Sequence, residues 1–125
     1  MARKEICSKD ITAVGPYSLG VDAGGLVLFS GQIPVDSKTG KLVEGDVKAQ
    51  TEQVFKNIFN LLESSGLTAD DVQKVNVFLT DMNDFQAMNE VYRDKFNKPY
   101  PARSTLGVAA LPLGSKVEIE IIAKK

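Results

Sequence analysis

Six stretches of this chain carry strand patterning and only two carry helical periodicity, and that imbalance limits the fold more than any other feature. Asp46 stands where a helix N-cap would. After it Val47, Val54, Ile58, Leu61 and Leu62 recur at helical spacing, with Phe55 and Phe59 widening the stripe. The helix is predicted to run to about Ser65, where Gly66 can take the left-handed conformation that ends it. A second helix is predicted from about Asn83 to Asn97, with Phe85, Met88, Tyr92 and Phe96 as its buried stripe. Asn89 and Arg93 lie one turn apart on an adjacent line of that helix.

The strands read as follows. Lys4 to Ser8 is a short first strand. Leu19–Ala23 and Leu26–Ser30 form a hairpin, because Gly24-Gly25 between two apolar runs supplies the positive φ values of a two-residue turn. Leu26-Val27-Leu28-Phe29 is apolar at consecutive positions and is expected to be buried on both faces. Val35 to Gly45 is polar and turn-rich, and reads as an exposed loop. Val72 to Thr80 alternates, with Val75, Val77 and Leu79 on one side and Asn76 and Phe78 on the other. Ser104 to Ala110 is the fifth strand. Val117 to Ala123 is the last, with Val117, Ile119 and Ile121 opposed to Glu118, Glu120 and Ile122.

The resulting order is β-β-β-α-β-α-β-β, an α+β fold with a six-stranded mixed sheet. Two helices cannot cover both faces of such a sheet, and most economically cover one. The other face would expose residues such as Phe78 to water, so a homo-oligomer that buries it is expected. No linker, internal repeat or low-complexity segment interrupts residues 1–125, which are expected to form one domain.

Composition narrows the chemistry. Lys plus Arg is 15 and Asp plus Glu is 16, a net charge of -1 that offers no basic excess for nucleic acid, so nucleic acid is not the expected partner. No apolar run approaches the length of a membrane span, and the N-terminus lacks the apolar stretch of a signal peptide, so the expected location is cytoplasmic, with no membrane partner. There is no histidine, which removes Ser-His-Asp and Cys-His arrangements and the usual imidazole base. The single cysteine, Cys7, cannot form an internal disulfide, and without histidine no metal site is expected. Any chemistry must come from Arg, Asp or Glu, Tyr, Ser or Thr, backbone groups and water.

One stretch is placed to supply it. In Pro99-Tyr100-Pro101-Ala102-Arg103-Ser104-Thr105 the prolines push Lys98 and Tyr100 out of the helical region, so a helix must stop before them and the chain leaves extended. Arg103 then stands at the mouth of a strand. Its planar fork of donors suits a carboxylate or phosphate.

Gly15-Pro16-Tyr17-Ser18, Ser30-Gly31-Gln32-Ile33-Pro34, Pro101-Ala102-Arg103-Ser104 and Val117-Glu118-Ile119-Glu120, in this order and spacing, resemble the RidA/YjgF family of reactive-intermediate deaminases from about Gly15 to Ala123. The resemblance implies a chorismate-mutase-like fold and a homotrimer with clefts between subunits. It also implies cofactor- and metal-independent hydrolysis of 2-imino acids, such as 2-iminobutanoate and 2-iminopropanoate, to 2-oxo acids and ammonia. By matching position, Arg103 would clamp the substrate carboxylate and Glu118 would hold the attacking water; the residues alone leave open whether Glu118 or Glu120 points into the cleft. Tyr17, Ser30, Gly31 and Asn89 would line the pocket, partly from a neighbouring subunit. In the mechanism expected from this, the Thr105 hydroxyl or backbone groups near Gly31 would bond the imine nitrogen. Thr105 stands where many members have cysteine, and Gly107 and Ala110 stand where larger polar side chains are common, which bears on substrate preference. The alternative that the resemblance carries is a regulatory or binding protein, or a translation inhibitor with ribonuclease activity.

Overall fold

A computed structural model describes residues 2–125. Eight strands, β1 (Lys4–Ile6), β2 (Gly20–Asp22), β3 (Leu26–Phe29), β4 (Val35–Asp36), β5 (Lys41–Leu42), β6 (Val72–Leu79), β7 (Ala102–Gly107) and β8 (Val117–Lys124), accompany two α-helices, α1 (Val47–Ser64) and α2 (Phe85–Arg93). Six of the strands form one sheet in the order β1-β2-β3-β8-β6-β7, while β4 and β5 pair as a separate small hairpin. Neighbours are antiparallel except β6 and β7, which run parallel because the chain crosses between them through α2.

Local chemistry accounts for α1. The Asp46 side chain accepts a hydrogen bond from Ala49 N at 3.0 Å, satisfying one of the first turn's free donors. At the other end Gly66 takes φ +73°, Gly66 N donates to Glu63 O, and Leu67 N donates to Leu62 O. That is a Schellman cap, in which the left-handed residue lets the last carbonyls find partners. Between the caps Val54, Phe55, Ile58, Leu61 and Leu62 are fully buried. They pack with Val75, Val77 and Leu79 of β6 and Val117, Ile119 and Ile121 of β8 in one core, with Met88 and Tyr92 of α2.

Four features of the fold differ from the sequence expectations. Leu26 and Leu28 of β3 are 44% and 43% exposed, while Val27 and Phe29 are buried. The strand is covered on one face only, since the helices lie on the other side of it from Leu26 and Leu28. The stretch from Val35 to Gly45 is a short β-hairpin rather than a plain loop. Helix α2 ends at Arg93, four residues early, although Phe96 beyond it still reaches the core. Strand β7 starts at Ala102 and ends at Gly107, set by its parallel pairing to Lys74–Leu79 rather than by its own composition.

The face away from the helices is amphipathic. Leu26, Leu28, Phe78, Leu106 and Ile122 lie on it, Leu106 at 52% exposure. Among them Lys74 Nζ donates to Ser104 Oγ at 3.2 Å and Asn76 Nδ2 donates to Glu120 Oε1 at 3.0 Å.

Candidate active site

Arg103 is the second residue of β7, the edge strand, and is level with the buried Val75 of β6. Residues level with one another across a ladder share a face, so the Arg103 side chain rises on the helix side. There it meets α2. Its Nη1 donates to Asn89 Oδ1 at 2.8 Å, and its Cζ lies 4.5 Å from the Tyr92 ring centre and 5.6 Å from that of Phe85. Phe85, Asn89 and Tyr92 are spaced four and three residues apart, one stripe of a helix. The guanidinium is therefore half-buried and oriented, not a freely solvated arginine. It borders a cleft of about 280 Å³ that Tyr100 and Pro101 complete. Tyr100 and Pro101 thus form the wall of the cleft that α2 does not supply.

Thr105 follows two residues along the same face of β7, level with Val77. Its Oγ1 is buried and has no hydrogen-bond partner among the described residues. Only one other side-chain atom among them shares that condition, the Tyr92 hydroxyl. Burial holds the Tyr92 phenol above its usual pKa, with the nearby Arg103 charge acting the other way.

The remaining candidates lie on the opposite face. Glu118 pairs across the ladder with Phe78, three residues from Val75, so it points away from the helices. Gln32 and Ile119 exchange backbone hydrogen bonds at 2.8 and 3.1 Å, which brings Gly31 against β8. A side chain at Gly31 would collide with the Glu118 carboxylate, so glycine is what makes room for it. Ser30 Oγ donates to Ser18 O at 2.6 Å, tying β3 to the loop that presents Tyr17. Tyr17, 47% exposed, borders a wide cleft of about 740 Å³ with Ser30, Leu28 and Glu120.

The predicted residues thus fall into two groups. Arg103, Asn89 and Thr105 lie on the helix side of the edge strand. Tyr17, Ser30, Gly31 and Glu118 lie around the far face of β3 and β8. One chain does not bring Arg103 and Glu118 together. Of the two candidate carboxylates, Glu120 borders the wide cleft but is engaged by Asn76. None of the side-chain hydrogen bonds among the described residues reaches Glu118. Its pKa is raised above the ordinary carboxylate value by burial and then by repulsion from Glu120. The sequence reading placed Tyr92 and Phe85 only in the core. The signal for their second role was their spacing from Asn89, which becomes informative once Arg103 is known to face α2.

The raised Glu118 pKa has a testable sign. A carboxyl that holds its proton more tightly when folded disfavours the folded state at pH above its folded pKa. That penalty fades as pH falls through this value to below the unfolded one. Thermal denaturation of Glu118→Gln should therefore show a higher Tm than wild type at pH 7 to 8, with the gap closing by about pH 4. A gap that grows on acidification would show that Glu118 is stabilised, not penalised, in its charged form.

Among the described residues no group of three or more His, Cys, Asp or Glu side chains is placed to hold a metal ion, and no helix is long and apolar enough to cross a membrane.

Comparison with known proteins identifies the family. A family model described as Endoribonuclease L-PSP matches residues 7–125. The chain is 48% identical over 114 residues to a 2-iminobutanoate/2-iminopropanoate deaminase of Salmonella typhimurium, covering 89% of this chain and 88% of that protein. It is 43% identical over 124 residues to a protein of the same name from Dermatophagoides farinae, covering 98% and 97%. The crystal structure of RidA from the Antarctic bacterium Psychrobacter sp. superposes with a TM-score of 0.93 at 47% identity, covering 98% of this chain and all of that one. Matched over nearly its whole length in sequence and in fold, the chain belongs to the YjgF/RidA family.

Proposed function

We propose that this protein is a 2-iminobutanoate/2-iminopropanoate deaminase whose site is completed between copies of the chain. The observation that carries this reading is the held guanidinium of Arg103. One of its donors is spent on Asn89 Oδ1 and its face lies against Tyr92, which leaves the rest of the fork to take a carboxylate in two parallel bonds. A small 2-imino acid bound this way has C2 at a fixed distance from the clamp. Water adds to C2, a proton passes from that water to Glu118, and the C=N bond becomes a C–N single bond. The nitrogen takes up one proton as the carbinolamine forms and a second, returned by Glu118, as the C–N bond breaks; ammonia leaves while the C2 hydroxyl gives up its proton and becomes the carbonyl. One water is consumed, and one 2-oxo acid and one ammonia are formed. A carboxylate with a raised pKa is a better base than an ordinary one, and such a role contributes about a hundredfold to ten-thousandfold.

Arg103 and Glu118 lie on opposite faces of one sheet, so the clamp of one copy must meet the carboxylate of another. The amphipathic far face, with Leu26, Leu28 and Leu106 exposed, supports burial against further copies. A closed ring of three uses one seam three times, each with an Arg103 from one chain and a Glu118, Tyr17, Ser30 and Gly31 from the next. Thr105 belongs to the clamp side of that seam. The imine substrate arises where pyridoxal-phosphate enzymes release enamines, which fits a cytoplasmic setting.

The test is a coupled assay. Threonine dehydratase generates 2-iminobutanoate, and its loss is followed with and without this protein. Accelerated loss is expected, and a rate equal to the uncatalysed one would overturn the reading. Chelator should leave the acceleration intact, because the side chains named here need no metal and the chain has no histidine and one cysteine. Loss of activity on chelation, restored by a divalent ion, would require a different mechanism.

The family model's description favours a second reading, RNA cleavage. The net charge of -1 and the absence of histidine leave it with little phosphate attraction and no imidazole base. The same preparation, incubated with RNA, separates the two: cleavage that Arg103→Ala leaves intact while deamination is absent would favour the second.

A further inference from the structure

We propose that Tyr92 is a positioning residue for Arg103, holding the guanidinium through its ring face and not through its hydroxyl. This rests on the reading of Arg103 as the carboxylate clamp. A guanidinium 4.5 Å from a tyrosine ring centre is well within the range of cation–π attraction, and Phe85 at 5.6 Å adds a second, weaker contact. Asn89 fixes the guanidinium by one hydrogen bond, which by itself leaves the group free to swing about that bond. The ring removes that freedom. Tyr92 is itself immobile: it is 5% exposed and packed edge-on against Phe55 and at 5.1 Å from Phe96. The aromatic cluster under α2 therefore serves as the rigid base of the clamp, linking the core to the edge strand.

The hydroxyl supplies the discriminating detail. The Tyr92 Oη is buried and has no hydrogen-bond partner among the described residues. A buried hydroxyl without a partner is a cost to the fold, so its removal should stabilise the protein or leave it unchanged. The hydroxyl thus bears on stability alone, whereas the ring bears on KM through Arg103, and a purely structural role for Tyr92 would leave KM and the Arg103 resonance unmoved in a folded variant.

Three variants test this, read in the first instance by NMR of the arginine side chains. In wild type the Arg103 Nε–H resonance should be displaced by the ring current of Tyr92. Tyr92→Phe should keep that displacement, change KM far less than Tyr92→Leu, and melt at the same or a higher temperature. Tyr92→Leu should abolish the displacement and raise KM for the imine by about two- to thirtyfold, the range that loss of a cation–π contact spans, with kcat changed far less. Should Tyr92→Leu fail to fold, Phe85→Leu, at a half-buried position, should reduce the displacement and raise KM by a smaller factor in the same direction. An undisplaced Arg103 resonance in wild type would overturn the proposal. So would a Tyr92→Phe variant as impaired in KM as Tyr92→Leu, or a fully folded Tyr92→Leu variant with unchanged KM. The NMR signature needs no turnover. A displaced resonance in a protein without deaminase activity would uphold the positioning of Arg103 and sink the assigned reaction alone.

Discussion

Replacing Arg103 by lysine should abolish most of the activity, almost as completely as replacing it by alanine. Lysine keeps the charge but offers a flexible point in place of a planar fork. It also leaves Asn89 Oδ1 and the Tyr92 ring without the partner for which they are set. Each charge-assisted hydrogen bond lost costs about 1.5–3 kcal/mol, so kcat/KM should fall at least about tenfold and, with both bonds to the carboxylate lost, by more. The measurement is the imine-loss assay, with titration of 2-oxobutanoate as a product analogue. Wild type should bind the oxo acid and Arg103→Ala should not, while the corresponding amide should bind neither. Because Arg103 is half-buried against α2, Arg103→Ala should also lower Tm by a few degrees, in contrast to a substitution of a solvated side chain. Equal binding of 2-oxobutanoate to both proteins would mean that Arg103 contacts α2 and nothing else.

The second large effect is the recovery of activity when two dead proteins are mixed. Arg103→Ala retains Glu118, and Glu118→Gln retains Arg103. If each site takes its arginine from one chain and its carboxylate from the next, co-refolded mixtures contain seams with both groups intact. In an equal, random mixture half the seams draw their arginine from the competent chain and half of those draw a competent carboxylate. About a quarter of wild-type activity should therefore return, from near zero for either variant alone. Light scattering on the same samples should give about three times the 13.6 kDa chain mass. A monomer of full activity, or a mixed oligomer with no recovery, would place both groups in one chain. That outcome is difficult to reconcile with their positions on opposite faces of the sheet.

Much of the architecture follows from short-range rules that a sequence displays directly. The Asp46 cap and the Gly66 stop are local, since each depends on groups within four residues, and the structure bears them out. The alternation of Val117, Ile119 and Ile121 against Glu118 and Glu120 is equally local, because a strand has a period of two whatever its neighbours are. The reading of β3 as buried on both sides failed for the complementary reason. Leu26-Val27-Leu28-Phe29 has no polar alternation, so its pattern cannot distinguish a second layer of the same chain from a surface open to other copies.

The amino-acid sequence by itself determined which side chains share a strand face, where α1 starts and stops, and, through the lack of histidine, which reaction classes are closed. It did not determine that Arg103 stands on the helix side while Glu118 stands on the other. Periodicity relates residues within one strand, but the faces of two strands are related only by the register of the strand between them. Here β6 sets that relation, aligning Val75 with Arg103 on one side and Phe78 with Glu118 on the other. The parallel crossover through α2 then decided that Asn89, Tyr92 and Phe85 would lie over Arg103. Those contacts join residues 11 to 18 positions apart in the chain, a separation that no helical or strand period encodes.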